Sequence, residues 1–259
     1  MTLTGSTVLI TGGGSGIGLA LGEALAERHN HVVIAARSLD KLQAAKHRGL
    51  ETINADVSDA DSLRSLASTV VEKFPSVNVV VHNAAFCMYE DLLTGGNAMI
   101  RDHTLATNIL GPMRLTEALL PHLLKQPAAV IVIVTSGLAF VPAAFYPTYS
   151  ATKAALHSYS QSLRFQLRNT SVRVIEIVPP YVQTALGGPA QATDPSAMPL
   201  QEFVLEALAL LESDPSVDEV LVERVHPHRF AAQRGQAAYE AFFQQYNGAA
   251  SDRLASPRR

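Results

Sequence analysis

The chain has 259 residues, of which 47% are hydrophobic and 17% charged, and its net charge is −3. This length suits one α/β domain with a large core, and the weak negative charge argues against a nucleic-acid or membrane-surface partner. Cys87 is the single cysteine, which excludes an internal disulfide. The N-terminus lacks the basic start and apolar run of a signal peptide, and no apolar segment reaches the roughly 18 residues of a membrane span, so we expect a cytoplasmic protein.

Short β-branched runs alternate along the chain with stretches of helical periodicity. The runs predict strands at 7–11, 31–36, 50–54, 78–82, 129–135, 172–178 and 217–223. The periodic stretches predict helices at 15–28, 39–47, 59–74, 97–124, 148–169, 200–212 and 235–246. Because several strands are apolar throughout, they are expected to be covered on both faces. The pattern predicts one α/β domain over residues 1–250, a doubly wound parallel sheet of about seven strands with helices on both faces.

The first predicted strand runs into a glycine-rich turn, TGGGSGIG at 11–18, which opens the first helix. Gly12 and Gly16 let the backbone turn sharply and let a pyrophosphate approach, and Gly18 lets the helix pack closely on the sheet. The helix N-terminus adds free N–H groups and partial positive charge. The strand–turn–helix context favours dinucleotide binding over a turn that serves only packing. A nucleoside-triphosphate loop is excluded, because Gly-Lys-Ser/Thr is missing.

The second predicted strand ends at Ala36, where NAD-binding folds carry an acidic residue that binds the ribose hydroxyls, and Arg37 follows it. A carboxylate there repels a 2′-phosphate, whereas an arginine binds it through two hydrogen bonds and a permanent charge. Ser15 and Ser38 add hydroxyl donors. The sequence therefore favours NADP(H) over NAD(H), and the alternative is that Arg37 is an ordinary solvated cation.

Tyr149 and Lys153 lie four residues apart in a helical stretch, hence about one turn apart on one face. A free tyrosine has a pKa of about 10, and a neighbouring ammonium is expected to lower it. A phenol tuned in this way passes a proton to or from an alcohol or carbonyl oxygen. Thr135 and Ser136 end the fifth predicted strand, where a hydroxyl stands at the carboxyl edge of the sheet beside the expected ligand cleft.

Together these motifs resemble the short-chain dehydrogenases/reductases, over about residues 4–221. The resemblance rests on TGGGSGIG at 11–18, NADV at 54–57, HNAA at 82–85, TNILG at 107–111, TS at 135–136, YSATK at 149–153 and PPYVQT at 179–184. Their order and separations fit the family. Within it, the sequence most resembles the DltE-like subgroup, through SGLAFVPAAFYPTYSATKAALHSYSQSLR and VIEIVPPYVQTAL. The subgroup name does not define a substrate.

The resemblance implies a Rossmann-type fold and four catalytic roles. Tyr149 is the implied general acid/base, and Lys153 lowers its pKa and holds the nicotinamide ribose. Ser136 binds the substrate oxygen, and Asn108 supports a water chain from the lysine to solvent, although an amide that only caps or packs is the alternative. The family also implies that the helices at 97–124 and 148–169 pair between subunits in a homodimer or homotetramer.

The cofactor contacts are implied by the same resemblance. They divide among four parts of the dinucleotide: Gly12, Gly16, Ile17 and Gly18 at the pyrophosphate, Asp56 and Val57 at the adenine, Asn83 and Ala84 at the adenosine ribose, and Val182 and Thr184 at the nicotinamide amide.

Two motifs depart from the family pattern. His82-Asn83-Ala84-Ala85 stands where the family usually has Asn-Asn-Ala-Gly, and we interpret His82 as structural. Pro179-Pro180 replaces the usual Pro-Gly and stiffens the turn behind the nicotinamide. Both changes bear on how the cofactor lies and leave the proton chemistry unaffected.

The remaining segments carry weaker signals. Residues 184–199 are rich in Gly, Ala and Pro and predict an active-site lid, with an ordinary surface loop as the alternative. Residues 251–259 are expected to fray. His226 and His228 have no Cys or carboxylate cluster at ligand spacing, so no metal site is expected. Six side chains flank the site and either line an apolar pocket or belong to the core: Phe86, Leu138, Phe140, Tyr146, Tyr181 and Leu186.

The sequence therefore predicts an NADP(H)-dependent oxidoreductase that interconverts a carbonyl and a secondary alcohol of a small molecule. The pattern does not identify the substrate, the direction, the stereochemistry or the oligomer size. One alternative is a non-catalytic dinucleotide-sensing regulator on the same fold, which predicts a damaged Ser/Tyr/Lys set. Another is a reductase for a carrier-bound acyl group, which predicts a basic patch near the mouth of the pocket.

Overall fold

The computed structural model describes residues 4–255, and it describes side chains for residues 4–248. Strands β1 to β7 lie, in chain order, at Thr7–Thr11, His31–Ala36, Glu51–Asn54, Val77–His82, Ala129–Val134, Val172–Ile177 and Glu219–Val220. Helices α1 to α9 lie at Gly16–Glu27, Leu39–His47, Ala60–Lys73, Ala98–Leu105, Gly111–Leu123, Pro147–Leu167, Leu200–Ser213, His226–Arg229 and Gln236–Ala255. Short 3-10 turns lie at Leu92–Thr94, Gly137–Ala139, Pro189–Thr193, Glu223–Val225 and Ala232–Arg234.

The seven strands form one parallel sheet in the order β3-β2-β1-β4-β5-β6-β7. The chain builds outward from β1 to β3 and then returns to the other side of β1 with β4. The carboxyl ends of all strands therefore meet at one edge, and the order reverses between β1 and β4, which is where such sheets bind ligands. The predicted doubly wound parallel sheet is confirmed.

Neighbouring residues of each strand supply two separate apolar cores, because successive side chains point to opposite faces. Ile10 and Val81 pack with α1 and α7 on one face, and Leu9 and Val80 pack with α3, α5 and α6 on the other. This confirms that the strands are covered on both faces. Among the described residues, no helix combines the length and the apolar character needed to cross a bilayer.

The predicted helix at 97–124 is interrupted by a π-helical turn at Ala106–Leu110, which joins α4 to α5. Pro112 has no N–H to donate to the carbonyl of Asn108, four residues earlier. The N–H of Gly111 instead bonds to the carbonyl of Ala106, five residues earlier. One straight helix was therefore the wrong expectation, and Asn108 lies in the turn that replaces it.

The C-terminal third also differs from the sequence pattern. The predicted strand at 217–223 shrinks to the two residues of β7. Before β7, the carbonyl of Val217 accepts from the Arg173 side chain at 3.1 Å instead of from a neighbouring strand. Helix α9 continues to Ala255, so the tail expected to fray from 251 is helical that far. Residues 256–259 lie outside the described residues.

Candidate active site

The glycine turn lies between β1 and α1 at the carboxyl edge of the sheet. Gly12 and Gly16 have φ angles of +67° and +55°, which side-chain-bearing residues rarely adopt. A Cβ on Gly12 would lie 2.6 Å from the Cα of Ala84, and a Cβ on Gly18 would lie 2.3 Å from Nδ2 of Asn83. Glycine is therefore required by backbone angle and by the close approach of the segment that follows β4.

The N-terminus of α1 can accept an anion. Ser15 is its N-cap residue, but its side chain makes no capping hydrogen bond, and its hydroxyl accepts from Nζ of Lys41 at 3.2 Å. The first N–H groups of a helix have no partner within the helix, so they can bind a pyrophosphate. A Cβ on Gly16 would lie 3.4 Å from Cγ2 of Thr184, so the loop after β6 reaches the same turn. These residues fit a dinucleotide.

Asn83 ties the segment after β4 to the glycine turn. Its Nδ2 donates to the carbonyls of Thr11 at 3.0 Å and Gly12 at 3.2 Å. The Thr11 hydroxyl oxygen in turn accepts from the backbone N–H groups of Asn83 and Ala84, at 3.2 and 3.3 Å. Two motifs that are distant in sequence, TGGGSGIG and HNAA, therefore form one rigid corner.

His82 precedes this corner at the end of β4. It is buried, and its Nε2 lies 2.9 Å from the hydroxyl oxygen of Thr116. Burial lowers the pKa of His82 to about 4. A neutral, hydrogen-bonded imidazole with this environment is a packing residue, in line with the sequence interpretation.

Two cations flank the carboxyl end of β2. Arg37 is half-exposed, and its Nη1 lies 3.7 Å from Oδ2 of Asp56. Lys41 projects from the first turn of α2 to the hydroxyl of Ser15, and the hydroxyl of Ser38 accepts from the backbone N–H of Lys41 at 3.4 Å as the helix cap. Lys41 therefore places positive charge between the glycine turn and α2, and Arg37 places it beside Asp56.

Asp56 and Val57 follow β3 beside these cations. Burial acts to raise the pKa of Asp56, but hydrogen bonds from Ser58 and the charge of Arg37 outweigh burial and hold this pKa below its usual value. A Cβ on Gly111 would lie 2.7 Å from the carbonyl oxygen of Val57, so the π-helical turn closes on this segment. Asp56 is thus an anion that partly neutralises Arg37.

Ser136, Tyr149 and Lys153, the candidate trio, converge beyond the carboxyl end of β5, and all three are buried. Nζ of Lys153 lies 5.5 Å from the centre of the Tyr149 ring and donates to the carbonyl of Val134 at 2.8 Å. Ser136 lies close enough to the phenol to affect its pKa, and its hydroxyl accepts from the backbone N–H of Leu138 at 3.1 Å. The structure therefore brings together the three side chains that the motifs single out.

The electrostatics of the trio differ from the sequence expectation. Burial raises the pKa of Tyr149 well above its ordinary value, although the hydrogen bond with Ser136 acts in the opposite direction. Burial lowers the pKa of Lys153 to about 8. The expected lowering of the tyrosine pKa by the lysine is wrong for this arrangement, because the desolvation of a phenolate outweighs the other contributions. Tyr149 is therefore a protonated phenol at neutral pH.

Asn108 is fully buried in the π-helical turn. Its Oδ1 accepts from the backbone N–H of Phe86 at 2.8 Å. Its Nδ2 donates to the carbonyl of Phe86 and to the hydroxyl of Thr152, both at 3.0 Å. The side chain therefore fits the packing alternative, and it holds the turn against α6, the helix that carries the tyrosine and the lysine.

The loop at 184–199 is held against the body of the protein from both ends. Val182 is buried and forms an isolated bridge with Met198. Nε2 of Gln191 donates to the carbonyl of Val182 at 2.8 Å and to the hydroxyl of Thr184 at 3.2 Å. Movement as a lid stays a prediction.

Helix α9 reaches the site, which the motifs did not indicate. Tyr246 contributes to raising the pKa of Tyr149, and its ring centre lies 4.9 Å from that of His228. Oδ1 of Asn247 accepts from the backbone N–H of Ala144 at 2.6 Å and so ties α9 to the segment before α6. Periodicity predicts that this helix exists, but not where it packs.

Glu90 and Lys41 are two further residues that the sequence analysis missed. The buried carboxylate of Glu90 accepts from the backbone N–H of Thr148 at 3.1 Å and from its hydroxyl at 2.7 Å, at the start of α6. Lys41 could have been found from the sequence, because it lies in the first turn of the predicted helix that follows the second strand. No sequence pattern links Glu90 to a helix that begins 57 residues later.

The sheet, the glycine turn at its switch point and the buried trio define an α/β protein of the dinucleotide-binding type, with a serine, a tyrosine and a lysine beside the turn. A profile described as short chain dehydrogenase matches residues 6–195. The chain is 41% identical over 253 residues to "Uncharacterized oxidoreductase DltE" of Bacillus subtilis (strain 168), covering 95% of this chain and 98% of that protein. The chain belongs to the short-chain dehydrogenase family, and its predicted likeness to the DltE-like subgroup is confirmed.

Other relatives agree with this assignment. An uncharacterized oxidoreductase of Staphylococcus aureus (strain USA300) is 30% identical over 230 residues, covering 86% of this chain and 99% of that one. The X-ray structure of an alcohol dehydrogenase from Thermococcus sibiricus, complexed with 5-hydroxy-NADP, matches with a TM-score of 0.75 at 26% identity. The match covers 84% of this chain and 96% of that one. A short chain dehydrogenase/reductase from Burkholderia phymatum, in complex with NAD, shares the fold with a TM-score of 0.77 at 20% identity. The match covers 93% of this chain and 96% of that one.

Proposed function

We propose that the protein is an NADP(H)-dependent oxidoreductase that interconverts a carbonyl and a secondary alcohol, with Tyr149 as general acid/base. The observation that carries this proposal is the convergence of Ser136, Tyr149 and Lys153 beside the open glycine turn. When bound, the nicotinamide cofactor supplies or accepts the hydride. The cofactor contacts that the family resemblance implies are part of the proposal: Gly12, Gly16, Ile17, Gly18, Asp56, Val57, Asn83, Ala84, Val182 and Thr184.

The chain's own residues account for the proton transfer. The Ser136 hydroxyl binds the substrate oxygen and orients it toward the phenol of Tyr149. As negative charge develops on that oxygen, the protonated phenol donates to it, and the ammonium of Lys153 stabilises the phenolate that remains. The buried, protonated phenol of Tyr149 is the proton donor in carbonyl reduction, and the phenolate is the proton acceptor in the reverse reaction. The backbone at Asn108 is the proposed support for proton resupply through water.

The preference for NADP(H) is supported by the charges around the end of β2. Lys41 reaches from α2 to the hydroxyl of Ser15 in the glycine turn, and Arg37, at the end of β2, lies 3.3 Å from Nε2 of His103. Asp56 balances only part of this charge. A 2′-phosphate offers the strong acceptors that these side chains prefer. The NADP analogue in the Thermococcus sibiricus relative supports the same choice.

The catalytic proposal is tested by Tyr149→Phe. The oxidation of NADPH is followed with a panel of ketones and aldehydes, and the variant is expected to lose roughly 10²- to 10⁴-fold in kcat while it still binds NADPH. Tyr159→Phe is the matched control, since it makes the same change on the same helix and is expected to keep its activity. A Tyr149→Phe enzyme as active as the parent would rule out the assigned role.

The cofactor proposal is tested by Arg37→Gln and Lys41→Gln. Each change removes a charge-assisted contact, so NADPH binding is expected to weaken about tenfold while NADH binding changes little. Lys46→Gln, at the other end of α2, is the control. Equal losses for the two cofactors would contradict a 2′-phosphate site.

The same experiments separate the alternatives. Tight NADPH binding without turnover on any carbonyl would favour the dinucleotide sensor. A reductase for a carrier-bound acyl group would need a basic patch near the mouth of the site. The arginine cluster instead surrounds a groove near the amino end of β6, opposite to the edge that carries Ser136, which argues against that alternative. The cluster consists of Arg164, Arg168 and Arg173.

We also propose that the protein is a homodimer or homotetramer. Apolar side chains remain exposed along α4 to α6, with Leu105 at 37%, Leu110 at 40% and Phe165 at 66%. Exposed apolar side chains on neighbouring helices are typical of subunit contacts. Sedimentation analysis tests this, and a monomer at micromolar concentration contradicts it.

A further inference from the structure

A buried carboxylate to which the proposed mechanism gives no role lies near Lys153, since the two side chains bond to the neighbouring residues Thr135 and Val134. Glu176, on β6, has an exposed fraction of 0%. Thr135 donates to its Oε1 at 2.6 Å, Ser160 donates to its Oε2 at 2.9 Å, and Nδ1 of His157 lies 2.8 Å from Oε2. Because an ionised carboxylate can only accept hydrogen bonds, Nδ1 of His157 donates.

Glu176 carries its negative charge at neutral pH. Burial acts to raise its pKa, but the hydrogen bonds from His157, Thr135 and Ser160, together with the charge of His157, outweigh burial and hold the pKa below its usual value. Burying an ionised carboxylate is unfavourable, and cationic neighbours offset that cost.

The charged groups that face Glu176 come from three further elements. Helix α6 contributes His157 and Lys153, β7 contributes Glu219, and α8 contributes Arg229. Arg229 already binds Glu219 with two hydrogen bonds, at 2.6 and 3.1 Å. His157 and Arg229 also act on Glu176 as charges. Geometry places Lys153 beside this cluster, because its Nζ donates to the carbonyl of Val134 at 2.8 Å and Thr135, the next residue, donates to Glu176 at 2.6 Å.

The surroundings of Lys153 lead to the same pairing. Three ionisable groups face it, namely Tyr149, Cys87 and Glu176. Burial raises the pKa of Cys87 to about 12, so the thiol carries no charge at neutral pH, and the phenol is protonated as well. Glu176 is then the anion that favours the ammonium, against the burial that lowers the pKa of Lys153 to about 8.

A metal site is the competing explanation of this cluster. Ligand atoms of His157, Glu176 and Glu219 lie within 4.8 Å of one another. The oxygens of both carboxylates already accept from protein donors, Glu219 from Arg229 and Glu176 from two hydroxyls and the imidazole. The arrangement is therefore a satisfied hydrogen-bond network rather than an open coordination site.

We propose that Glu176 is a positioning residue whose buried charge keeps Lys153 an ammonium. Its hydrogen bonds to Thr135 and His157 also fix the strand end that leads to Ser136 against α6, the helix that carries the lysine. The catalytic importance of this charge rests on the proposed function, whereas the coupling between the two side chains does not.

The coupling is measured directly by ¹³C NMR of the lysine side chains. The chain has five lysines, so the Cε signal of Lys153 can be assigned by its loss in Lys153→Met and followed through a pH titration. In Glu176→Gln, the pKa of Lys153 is expected to fall by about one unit or more. Ser160→Ala removes one donor but leaves the charge, so it is expected to leave that pKa nearly unchanged. No fall in Glu176→Gln, or an equal fall in both variants, overturns the proposal.

A second pair of variants covers the case in which Glu176→Gln does not fold. Glu176→Asp and Glu176→Asn have the same size and differ in charge alone. The pKa of Lys153 is expected to be higher in the aspartate variant by about one unit. Equal values in the two variants would show that the effect is structural, and the proposal would fail.

Activity provides a separate readout. If turnover requires the ammonium, the alkaline limb of the kcat profile lies near pH 8 in the parent and moves to lower pH in Glu176→Gln. A parent protein that binds no NADPH defeats the proposed function while the NMR comparison still tests the coupling. If the parent protein is active but the pKa of Lys153 is the same in the parent and in Glu176→Gln, this inference alone is wrong.

Discussion

Gly18 shows, at the scale of a single residue, how closely the glycine turn packs against the segment that follows β4. A Cβ at this position would lie 2.3 Å from Nδ2 of Asn83 and 2.8 Å from the carbonyl oxygen of Gly12. The amide cannot move aside without losing its hydrogen bonds to the carbonyls of Thr11 and Gly12. The glycine is therefore required by a side chain from another motif as well as by its own helix.

Gly18→Ala is expected to lower the free energy of unfolding by about 1–3 kcal/mol, because overpacking displaces the Asn83 amide. It is also expected to weaken NADPH binding, and urea unfolding and a fluorescence titration measure the two effects. Gly248→Ala is the control, since a Cβ there meets nothing within 4 Å, and it is expected to be neutral or slightly stabilising. Equal stability of the two variants would contradict the close-contact argument.

At the scale of elements, the start of α6 determines where the trio lies. Tyr146, the N-cap residue, makes no capping hydrogen bond with its side chain, and Pro147 begins the helix. The cap comes instead from Glu90, whose carboxylate accepts from the N–H and the hydroxyl of Thr148. An anion at a helix N-terminus is also favoured by the helix dipole. The residue before Tyr149 is thus fixed by a distant loop.

Glu90→Ala is expected to lower the free energy of unfolding by about 1–3 kcal/mol and to reduce kcat more than NADPH affinity. The reason is that it loosens the first turn of α6 and leaves the glycine turn intact. Glu90→Gln retains an oxygen that accepts from Thr148 and is expected to recover much of the loss. Urea unfolding and steady-state kinetics provide the readouts. Asp91→Ala, which affects only a 3-10 turn, should cost less, and an equal loss there would count against this cap.

The elements also show where sequence patterns succeed. The strand at 31–36 and the helix at 39–47 have the predicted bounds, because local signals such as the Ser38 cap define them. The helix at 97–124 was wrongly drawn as continuous, since a proline inside an apolar periodic stretch does not reveal a π-helical turn. The last strand was too long, because an edge strand pairs on one side and its length depends on its neighbour β6.

For the molecule as a whole, buried titratable groups determine how stability changes with pH. His82 is neutral and buried, and its pKa in the folded chain, about 4, lies below the value of 6.5 for the free side chain. Between these two values the unfolded chain binds a proton that the folded chain does not. The free energy of unfolding therefore falls as the pH is lowered from about 6.5 toward 4.

His82→Asn is expected to remove up to about 3 kcal/mol of this acid-side loss of stability, which follows from the size of the pKa difference. Urea unfolding at pH 7 and at acid pH measures the change. His47→Asn, at an exposed position of α2, is the control and is expected to leave the pH dependence as in the parent. An unchanged slope in His82→Asn would contradict the assignment of a neutral buried imidazole.

The sequence by itself determined the parallel sheet, the glycine turn and the spacing of Tyr149 and Lys153, because each is encoded in a contiguous stretch by backbone geometry and periodicity. The tertiary structure alone decided that Glu90 caps α6, that Glu176 lies near the lysine and that the pKa of the phenol is raised instead of lowered. These properties depend on which distant segments exclude water from a side chain, and desolvation is a property of the assembled interior that no local pattern records.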